Sequence, residues 1–323
     1  FLAVEELLSE GFVPPTDVYL ASSCTEEWGG DGAPKIVAEL QKRGIRLFLV
    51  CDEGGGIITD PIGGIRGNFA MVGVFEKGKA DVKFTARSNG GHASAPSKGT
   101  PIARLSAFVN EVETHSPFRK KLLPEVSAMF TELAPYAGFG MKLVFGNVWL
   151  FGPVLKAVMP AISAQAGAML KTTIAFTVQK GSDAYNVLPQ EAYVGANMRF
   201  IPHQGEKESL EIIKKVADKY GLETEVLHAN DYTPPVDIHG EAFHLVEQTI
   251  ADTFPGLPSS PYVMTGATDA QFYQPICKSC IRFAPVIYGP EQMKGMHGLN
   301  ENIEYNCLPG AVRFYKNLIR AEK

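Results

Sequence analysis

The sequence predicts an α/β protein with a mostly parallel sheet, into which a smaller α+β domain is inserted. Strand and helix patterns alternate over the first 51 residues, a period-two pattern starts near residue 80, and helix patterns return after residue 230. The length of 323 residues also suffices for two domains, since a single core stops growing at about 250–300 residues.

The first part of the chain predicts a strand–helix–strand unit. Apolar periodicity predicts a helix over 1–11, a strand over 17–22, a helix over 33–43 and a strand over 46–51. Because the chain starts inside a helical pattern and without Met, we expect an upstream portion to be missing. This alternation is typical of parallel strands covered by helices.

The middle of the chain predicts a ferredoxin-like insertion. Residues 81–87 alternate with period two, as a half-exposed antiparallel strand does. The order strand, helix, strand, strand, helix, strand follows from patterns at 81–87, 100–114, 172–178, 192–199, 206–219 and 223–228. A helix over 243–253, a strand over 281–283 and a helix over 309–320 complete the chain. We therefore expect a catalytic domain over 1–79 and 230–323, with a lid or dimerisation domain over 80–229.

One apolar segment, residues 143–162, has the length of a membrane span. However, Lys156 lies inside it, and Pro153 and Pro160 interrupt a helix there. We therefore expect buried helices within a domain, and no membrane partner.

Composition describes an ordinary globular protein. Apolar residues make up 45% of the chain, charged residues 20%, and the net charge is -5. This mildly acidic balance gives no support for nucleic-acid binding. The five cysteines include a lone C-x-x-C at Cys277 and Cys280, which predicts reduced thiols and a cytoplasmic location rather than a disulfide framework.

Acidic pairs follow both predicted strands of the first part. Glu26 and Glu27 come after the apolar run that begins at Val18, and Asp52 and Glu53 follow the second strand directly. Carboxylates at neighbouring strand ends can hold zinc or manganese and can remove a proton from water. A solvated pair of glutamates at a loop is the alternative for residues 26 and 27 taken alone.

Six short segments together resemble a known family. They are residues 25–30, 52–54, 91–94, 186–189 with Arg199, 268–269 and 297–301. In this order they resemble the dinuclear-zinc metallopeptidase family of aminoacylase, glutamate carboxypeptidase and Gly-X carboxypeptidase. The long apolar insertion between His92 and Asn186 is most similar to the Gly-X carboxypeptidase branch. The resemblance implies a three-layer zinc-peptidase catalytic domain with a ferredoxin-like lid.

The resemblance also implies a metal centre in the catalytic domain. Glu26 would be the general base, and Glu27 and His297 would bind one metal ion. The second metal would take a ligand from Asp52 or Glu53, with Glu53 favoured and Asp52 still open. Two zinc ions are implied, with manganese or cobalt as alternatives.

Three further residues would contact the substrate. His92, on the lid, would stabilise the oxyanion, Asn186 would contact the scissile carbonyl, and Arg199 would pair with a free carboxylate. The partners implied are a small peptide or N-acyl amino acid and, through the lid, a second subunit.

The implied function is zinc-dependent hydrolysis of a peptide or amide bond next to a C-terminal free carboxylate. Carboxypeptidase, dipeptidase and N-acyl-amino-acid hydrolase activities all fit. Family members supply an upstream His-x-Asp and a bridging Asp, which have no counterpart in these 323 residues. The alternative is therefore a catalytically incomplete fragment or pseudoenzyme that serves as a binding or dimerisation module.

Overall fold

The computed structural model describes residues 1–162, 164–264 and 266–321. Its contacts divide the chain into two compact units. The first unit comprises Phe1–Glu76, Leu123–Leu155 and Pro234–Lys323, and the second comprises Lys77–Leu122 and Lys156–Thr233. The catalytic and lid boundaries at residues 79 and 229 stay a prediction.

The strands and helices are numbered in chain order. The strands are β1 (Val50–Thr59), β2 (Asn68–Glu76), β3 (Gly78–Arg87), β4 (Gly91–His92), β5 (Thr173–Lys180), β6 (Val187–Leu188), β7 (Glu191–Phe200), β8 (Glu223–Asn230), β9 (Ser259–Met264) and β10 (Cys280–Tyr288). The helices are α1 (Leu2–Ser9), α2 (Gly32–Lys42), α3 (Pro101–Thr114), α4 (Pro124–Leu133), α5 (Phe139–Phe145), α6 (Val148–Ile162), α7 (Ala164–Ala168), α8 (Glu206–Lys219), α9 (Glu241–Thr253), α10 (Pro290–Gly295) and α11 (Leu308–Ala321). Short 3₁₀ helices lie at Glu26–Trp28, Ala134–Tyr136, Asp269–Tyr273 and Tyr305–Cys307.

The first unit contains a four-stranded sheet in the order β1-β10-β2-β9. The pairings β1–β10 and β2–β9 are parallel, and β2 also pairs antiparallel with β1. Strand β2 is buried along almost its whole length, and Val72 and Phe75 are fully buried. Helix α11 contacts α9 and β10, and α4 contacts β9. A buried strand with helices packed on the sheet is the arrangement of an α/β domain.

The second unit contains an antiparallel sheet in the order β5-β7-β3-β8. Helices α3 and α8 pack on this sheet. Phe84 of β3 lies against Phe108 of α3, with ring centroids 4.7 Å apart, inside the apolar core of this unit. The element order and the strand order are those of the ferredoxin-like pattern, so this prediction is confirmed.

Two strand predictions in the first part of the chain are wrong. Residues 17–22 form no strand in the part of the chain that the structure describes, and β1 begins at Val50 rather than at residue 46. Leu47 makes only one bridge, to Cys277. A strand is stable only when it is hydrogen-bonded to neighbours, and here β10 and β2 are the neighbours of β1.

The apolar segment at 143–162 forms helices, as predicted, but the expectation that they are buried is confirmed for one side only, which includes Phe145, Leu155 and Met159. Side chains of α5 and α6 are exposed on one side. Within the described residues no single helix has the length and apolar composition of a membrane span. Only a bent pair, Phe139–Phe145 with Val148–Ala161 at 109°, meets that test on length and composition.

Candidate active site

Glu26 and Glu27 lie on the 3₁₀ helix Glu26–Trp28, which a glycine-rich turn closes. The amide of Gly30 donates to the Thr25 carbonyl at 2.9 Å, and that of Gly32 donates to Thr25 Oγ1 at 3.1 Å. A Cβ on Gly30 would lie 2.5 Å from the Thr25 Cβ, so the turn requires glycine there. The turn fixes the backbone from which both carboxylates project.

Asp52 and Glu53 lie inside β1, not after its end as predicted. Gly54 follows them at φ +101, where the regular register of β1 with β10 is interrupted. Asp52 is held on both oxygens. Its Oδ1 accepts from the Glu53 amide at 2.9 Å, and its Oδ2 accepts from the Ala270 amide at 2.7 Å. Glu53 as a whole residue is more exposed than Asp52.

A buried polar network lies next to Asp52. Thr268 Oγ1 donates to Glu76 Oε1 at 2.6 Å and caps the 3₁₀ helix that supplies the Ala270 amide. Arg282, which is fully buried, donates from Nε to the same Glu76 oxygen at 2.8 Å. Buried charges of this kind are stable when paired and hydrogen-bonded. The network fixes the loop that holds Asp52.

His297 lies on a loop between α10 and the 3₁₀ helix Tyr305–Cys307. Its backbone is left-handed, at φ 54, which is uncommon for a residue other than glycine. The imidazole Nδ1 lies 3.5 Å from Glu27 Oε2, and both side chains are largely exposed. Although 270 residues separate them in sequence, the structure places the two metal ligands predicted for one ion side by side.

The electrostatics of these residues are dominated by crowded carboxylates. Partial burial raises the pKa of the Glu26 carboxyl, and neighbouring charges raise it further, to about 7. In order of effect these neighbours are Glu53, Glu27, Asp269 and Asp52. Burial and the charge of Asp52 likewise raise the pKa of Glu53 and of Asp269, whereas His297 lowers that of Glu53. Like charges that share one region disfavour ionisation in this way.

The donor chemistry of this cluster fits a divalent cation. Carboxylate oxygens and an imidazole nitrogen are the ligands that zinc and manganese accept, and a bound cation would offset the repulsion that raises the Glu26 pKa. Across residues 1–162, 164–264 and 266–321, no three His, Cys, Asp or Glu side chains are yet arranged as a ligand set. Potential ligands such as Glu27 and His297 therefore lie near one another, but they do not form a complete coordination shell.

In the second unit, His92 lies on the short strand β4, and Asn186 directly precedes the neighbouring short strand β6. His92 of β4 pairs with Val187 of β6, and the Ala93 amide donates to the Asn186 carbonyl at 2.9 Å. The Ser94 amide donates to His92 Nδ1 at 3.2 Å. Because Nδ1 accepts, the neutral ring carries its proton on Nε2, which leaves an N–H donor.

Arg199 lies on β7 of the same unit and is half-buried. Its Nε donates to Asn197 Oδ1 at 3.0 Å, and Asn197 donates to Asp81 Oδ1 at 2.7 Å. Burial lowers the pKa of Arg199, but an arginine guanidinium in a protein stays charged near neutral pH. The chain Arg199–Asn197–Asp81 orients the guanidinium through Nε, and no hydrogen bond from its terminal amino groups occurs within residues 1–162, 164–264 and 266–321.

Sequence analysis missed Glu76, Arg282 and the role of Thr268. The signal was available, because Glu76 and Arg282 are opposite charges inside strands that are otherwise apolar. A charged residue at such a position requires a partner when it is buried. Which charge pairs with which could not be read from the sequence, since 206 positions separate the two.

These features agree with the comparisons to known proteins. The model of peptidase family M20/M25/M40 matches residues 1–321, and the chain belongs to this family. It is 33% identical, over 98% of its length, to the N-fatty-acyl-amino acid synthase/hydrolase PM20D1 of Xenopus tropicalis, and 32% identical to that of Homo sapiens. It is 28% identical to a probable carboxypeptidase S-like protein of Dictyostelium discoideum. The chain spans only 62–64% of the length of these relatives.

Solved structures show the same fold. An M20 family metallo-carboxypeptidase of Sulfolobus solfataricus superposes with a TM-score of 0.66 at 15% identity, over 98% of this chain and 73% of that one. The dipeptidase Dug1p of Saccharomyces cerevisiae gives 0.62 at 14% identity, over 98% and 68%. The predicted α/β class and its resemblance to this metallopeptidase family are thereby confirmed.

Proposed function

We propose that this chain carries the machinery of a zinc-dependent hydrolase that cleaves an amide bond next to a free carboxylate. The observation that carries the proposal is the Glu26 carboxyl, whose pKa of about 7 arises among four other carboxylates. Perturbed carboxyl groups that cluster with metal-ligand side chains are typical of hydrolytic sites. His297 beside Glu27 supplies the nitrogen ligand that such a site needs.

We assign the metal ligands to Glu27, His297 and Glu53. Asp52 uses both oxygens for backbone amides, which supports a positioning role for it and leaves Glu53 as the ligand. When bound, zinc supplies Lewis acidity, which polarises a carbonyl and lowers the pKa of water to about 7. Manganese or cobalt would serve the same donors.

Glu26 acts as the general base in this proposal. In the metal-free chain its pKa is about 7, and a bound cation would lower this pKa by offsetting the neighbouring charges, so the carboxylate would be ionised at neutral pH and could take a proton from the attacking water and return it to the leaving amine.

The substrate-binding roles fall to the second unit. His92 offers an Nε2–H to a developing oxyanion, and one such donor typically contributes about 3–4 kcal/mol to the barrier reduction. Asn186, whose carbonyl accepts from the Ala93 amide, would contact the scissile carbonyl. Arg199, held from behind by Asn197, would bind the free carboxylate with two parallel hydrogen bonds.

The relatives support a substrate with an amino-acid end. One group is named for N-fatty-acyl-amino acids and the other as carboxypeptidases, and both names describe an amide bond to an amino acid. A guanidinium suits the carboxylate that both substrate classes carry. We therefore propose an N-acyl amino acid or a small peptide as the substrate. A cytoplasmic location and a homodimer through the lid stay predictions.

The second candidate function is that of a catalytically incomplete fragment or pseudoenzyme, which binds a ligand or partner but does not hydrolyse a substrate. It is favoured by the absence, among the described residues, of any three donors already arranged as a metal-ligand set. In this case the units would serve as a binding or dimerisation module.

Zinc-dependent turnover by the purified chain tests both candidates. The chain, Glu26→Gln and Glu5→Gln, an exposed glutamate of α1, are compared for zinc binding and for hydrolysis of an N-acyl amino acid and a dipeptide. We expect Glu26→Gln to lose about 10²–10⁴-fold in rate while Glu5→Gln is unchanged. Zinc binding without turnover would favour the second candidate. Turnover that is unchanged in Glu26→Gln would contradict the proposed base.

A further inference from the structure

Helix α5 and the first part of α6, up to Leu155, present an exposed apolar face on the first unit. This face, called the α5–α6 face, consists of Phe139, Leu143, Trp149, Leu150 and Val154. Phe139 is 88% exposed and Trp149 is 81% exposed. On α6, positions 150 and 154 are four residues apart and are therefore neighbours on one side of the helix, and Trp149 directly precedes Leu150.

The exposure does not come from a loosely attached segment. Phe145 of α5 is buried against Phe130 of α4, with ring centroids 4.6 Å apart, and Val148 is buried at the start of α6. The Asn147 side chain donates to the Leu143 carbonyl at 2.9 Å across the junction of the two helices. The inner sides of these helices are therefore packed, and the outer side keeps its apolar residues toward solvent. A large apolar patch on a folded unit marks an interaction surface.

The charge of this region differs from that of the whole chain. No Asp or Glu occurs between Glu132 and Asp183, whereas the chain as a whole has a net charge of -5. The same stretch contains four lysines, of which Lys142 lies on α5 and Lys156 on α6, while Lys171 and Lys180 lie outside these helices. An apolar face in an exclusively basic stretch is complementary to a surface that is apolar inside and negatively charged outside.

We propose that the α5–α6 face binds an anionic lipid surface, with both helices lying in the interface rather than crossing it. The angle of 109° between the two helices prevents one straight span. It allows both to lie near one plane, where Trp149 and Phe139 would reach the acyl region and Lys142 the headgroups. This proposal replaces the expectation from the sequence that the chain has no membrane partner. It is independent of the proposed hydrolysis, since it uses none of the same residues.

Vesicle binding tests the proposal. The chain with Trp28→Phe retains Trp149 as its sole tryptophan. It is mixed with vesicles of phosphatidylcholine, with or without phosphatidylglycerol, and binding is followed by sedimentation and by the tryptophan emission. We expect co-sedimentation with the anionic vesicles and a shift of the emission to shorter wavelength, as Trp149 leaves water.

Matched variants make the result specific. Leu150→Asp, at a leucine 55% exposed, should weaken binding to anionic vesicles by about tenfold or more, because it removes the burial of a leucine and adds a negative charge. Leu8→Asp, at a leucine 60% exposed on α1, should leave binding unchanged. Lys142→Gln should weaken binding about fivefold, since one lysine near an anionic surface contributes about 1 kcal/mol.

Three results would overturn the proposal. The first is a chain that stays in the supernatant with every vesicle, and the second is equal binding by Leu150→Asp and Leu8→Asp. The third is self-association in solution that Leu150→Asp abolishes while vesicle binding is absent, because a second copy of the chain would then be what covers the face.

Discussion

Glu26 is held in a setting that opposes its own ionisation. Its pKa rises from the usual 4.5 to about 7 because it is partly buried and surrounded by other carboxylates. Replacing these carboxylates by neutral side chains would remove their mutual repulsion and so stabilise the metal-free fold. Retaining five acidic residues at this place is easier to explain if a cation binds there.

The stability of the metal-free chain should therefore fall as pH rises through the titration of Glu26. The folded state binds this proton more tightly than the unfolded state does, so the stabilising proton is lost between about pH 4.5 and pH 7. In Glu26→Gln this loss is absent. We expect the variant to match the wild type near pH 4 and to exceed it by about 1 kcal/mol near pH 8, after allowance for solvent screening.

Urea unfolding of both proteins in the presence of a chelator checks this expectation. Glu5→Gln serves as the control, because it changes the same charge on α1. A free energy of unfolding for Glu26→Gln that tracks the wild type at every pH would show that Glu26 is not perturbed.

Sequence patterns identified Glu26, Glu27, Asp52 and Glu53 as candidate site residues, but they did not decide whether Asp52 or Glu53 is the metal ligand. Asp52 and Glu53 are adjacent and chemically similar. They differ in that the Ala270 amide, 218 positions away in sequence, donates a hydrogen bond to one oxygen of Asp52. A hydrogen bond of that sequence separation leaves no local signal, so the sequence could only leave both residues open.

Among the elements, β1 shows why the predicted strand end was misplaced. The residues Asp52, Glu53 and Gly54 read as a strand followed by a turn, because acids and glycines are rare inside strands. Gly54 instead takes a left-handed conformation inside β1, and the pairing resumes beyond it. Pattern rules therefore identified the acids while misplacing the end of the strand. The helices were easier to predict, since α2, α3 and α8 each bury one periodic apolar side.

Gly54→Ala should destabilise the first unit. A side chain at φ +101 is strained, and its Cβ would lie 2.4 Å from Met264, so we expect a loss of about 2 kcal/mol in the free energy of unfolding. Gly63→Ala is the matched control, because a Cβ there meets nothing within 4 Å. Its effect should stay within about 0.5 kcal/mol. Chemical denaturation of the two variants measures the difference, and equal losses would argue against strain at Gly54.

At the scale of the whole molecule, the two sheets are assembled from the chain in different ways. The sheet of the first unit takes β1 and β2 from early in the chain and β9 and β10 from late in it. The sheet of the second unit lies entirely within residues 78–230. The contact between Glu76 and Arg282 therefore joins the two distant parts of the first unit by an ion pair.

Arg282→Met should cost about 3–5 kcal/mol of unfolding free energy, because it leaves a buried carboxylate without its cation. The double variant Glu76→Met/Arg282→Met should recover most of that loss, since no buried charge remains. Denaturant unfolding of the single and double variants gives the coupling between the two residues. Additive losses would show that the pair contributes little as a pair.

This arrangement also sets an order of events during synthesis. At translation rates of about 5–20 residues per second, the 206 positions between Glu76 and Arg282 take about 10 to 40 seconds to add. Until β9 and β10 have been made, Phe69 and Phe75 of β2 lack these two strands as neighbours, and apolar strands without their partners favour aggregation. The second unit can finish folding meanwhile. Asp52 also lacks a partner during this time, because the amide that donates to its Oδ2 belongs to Ala270, and β10, with which residues 50–52 pair, is made later still.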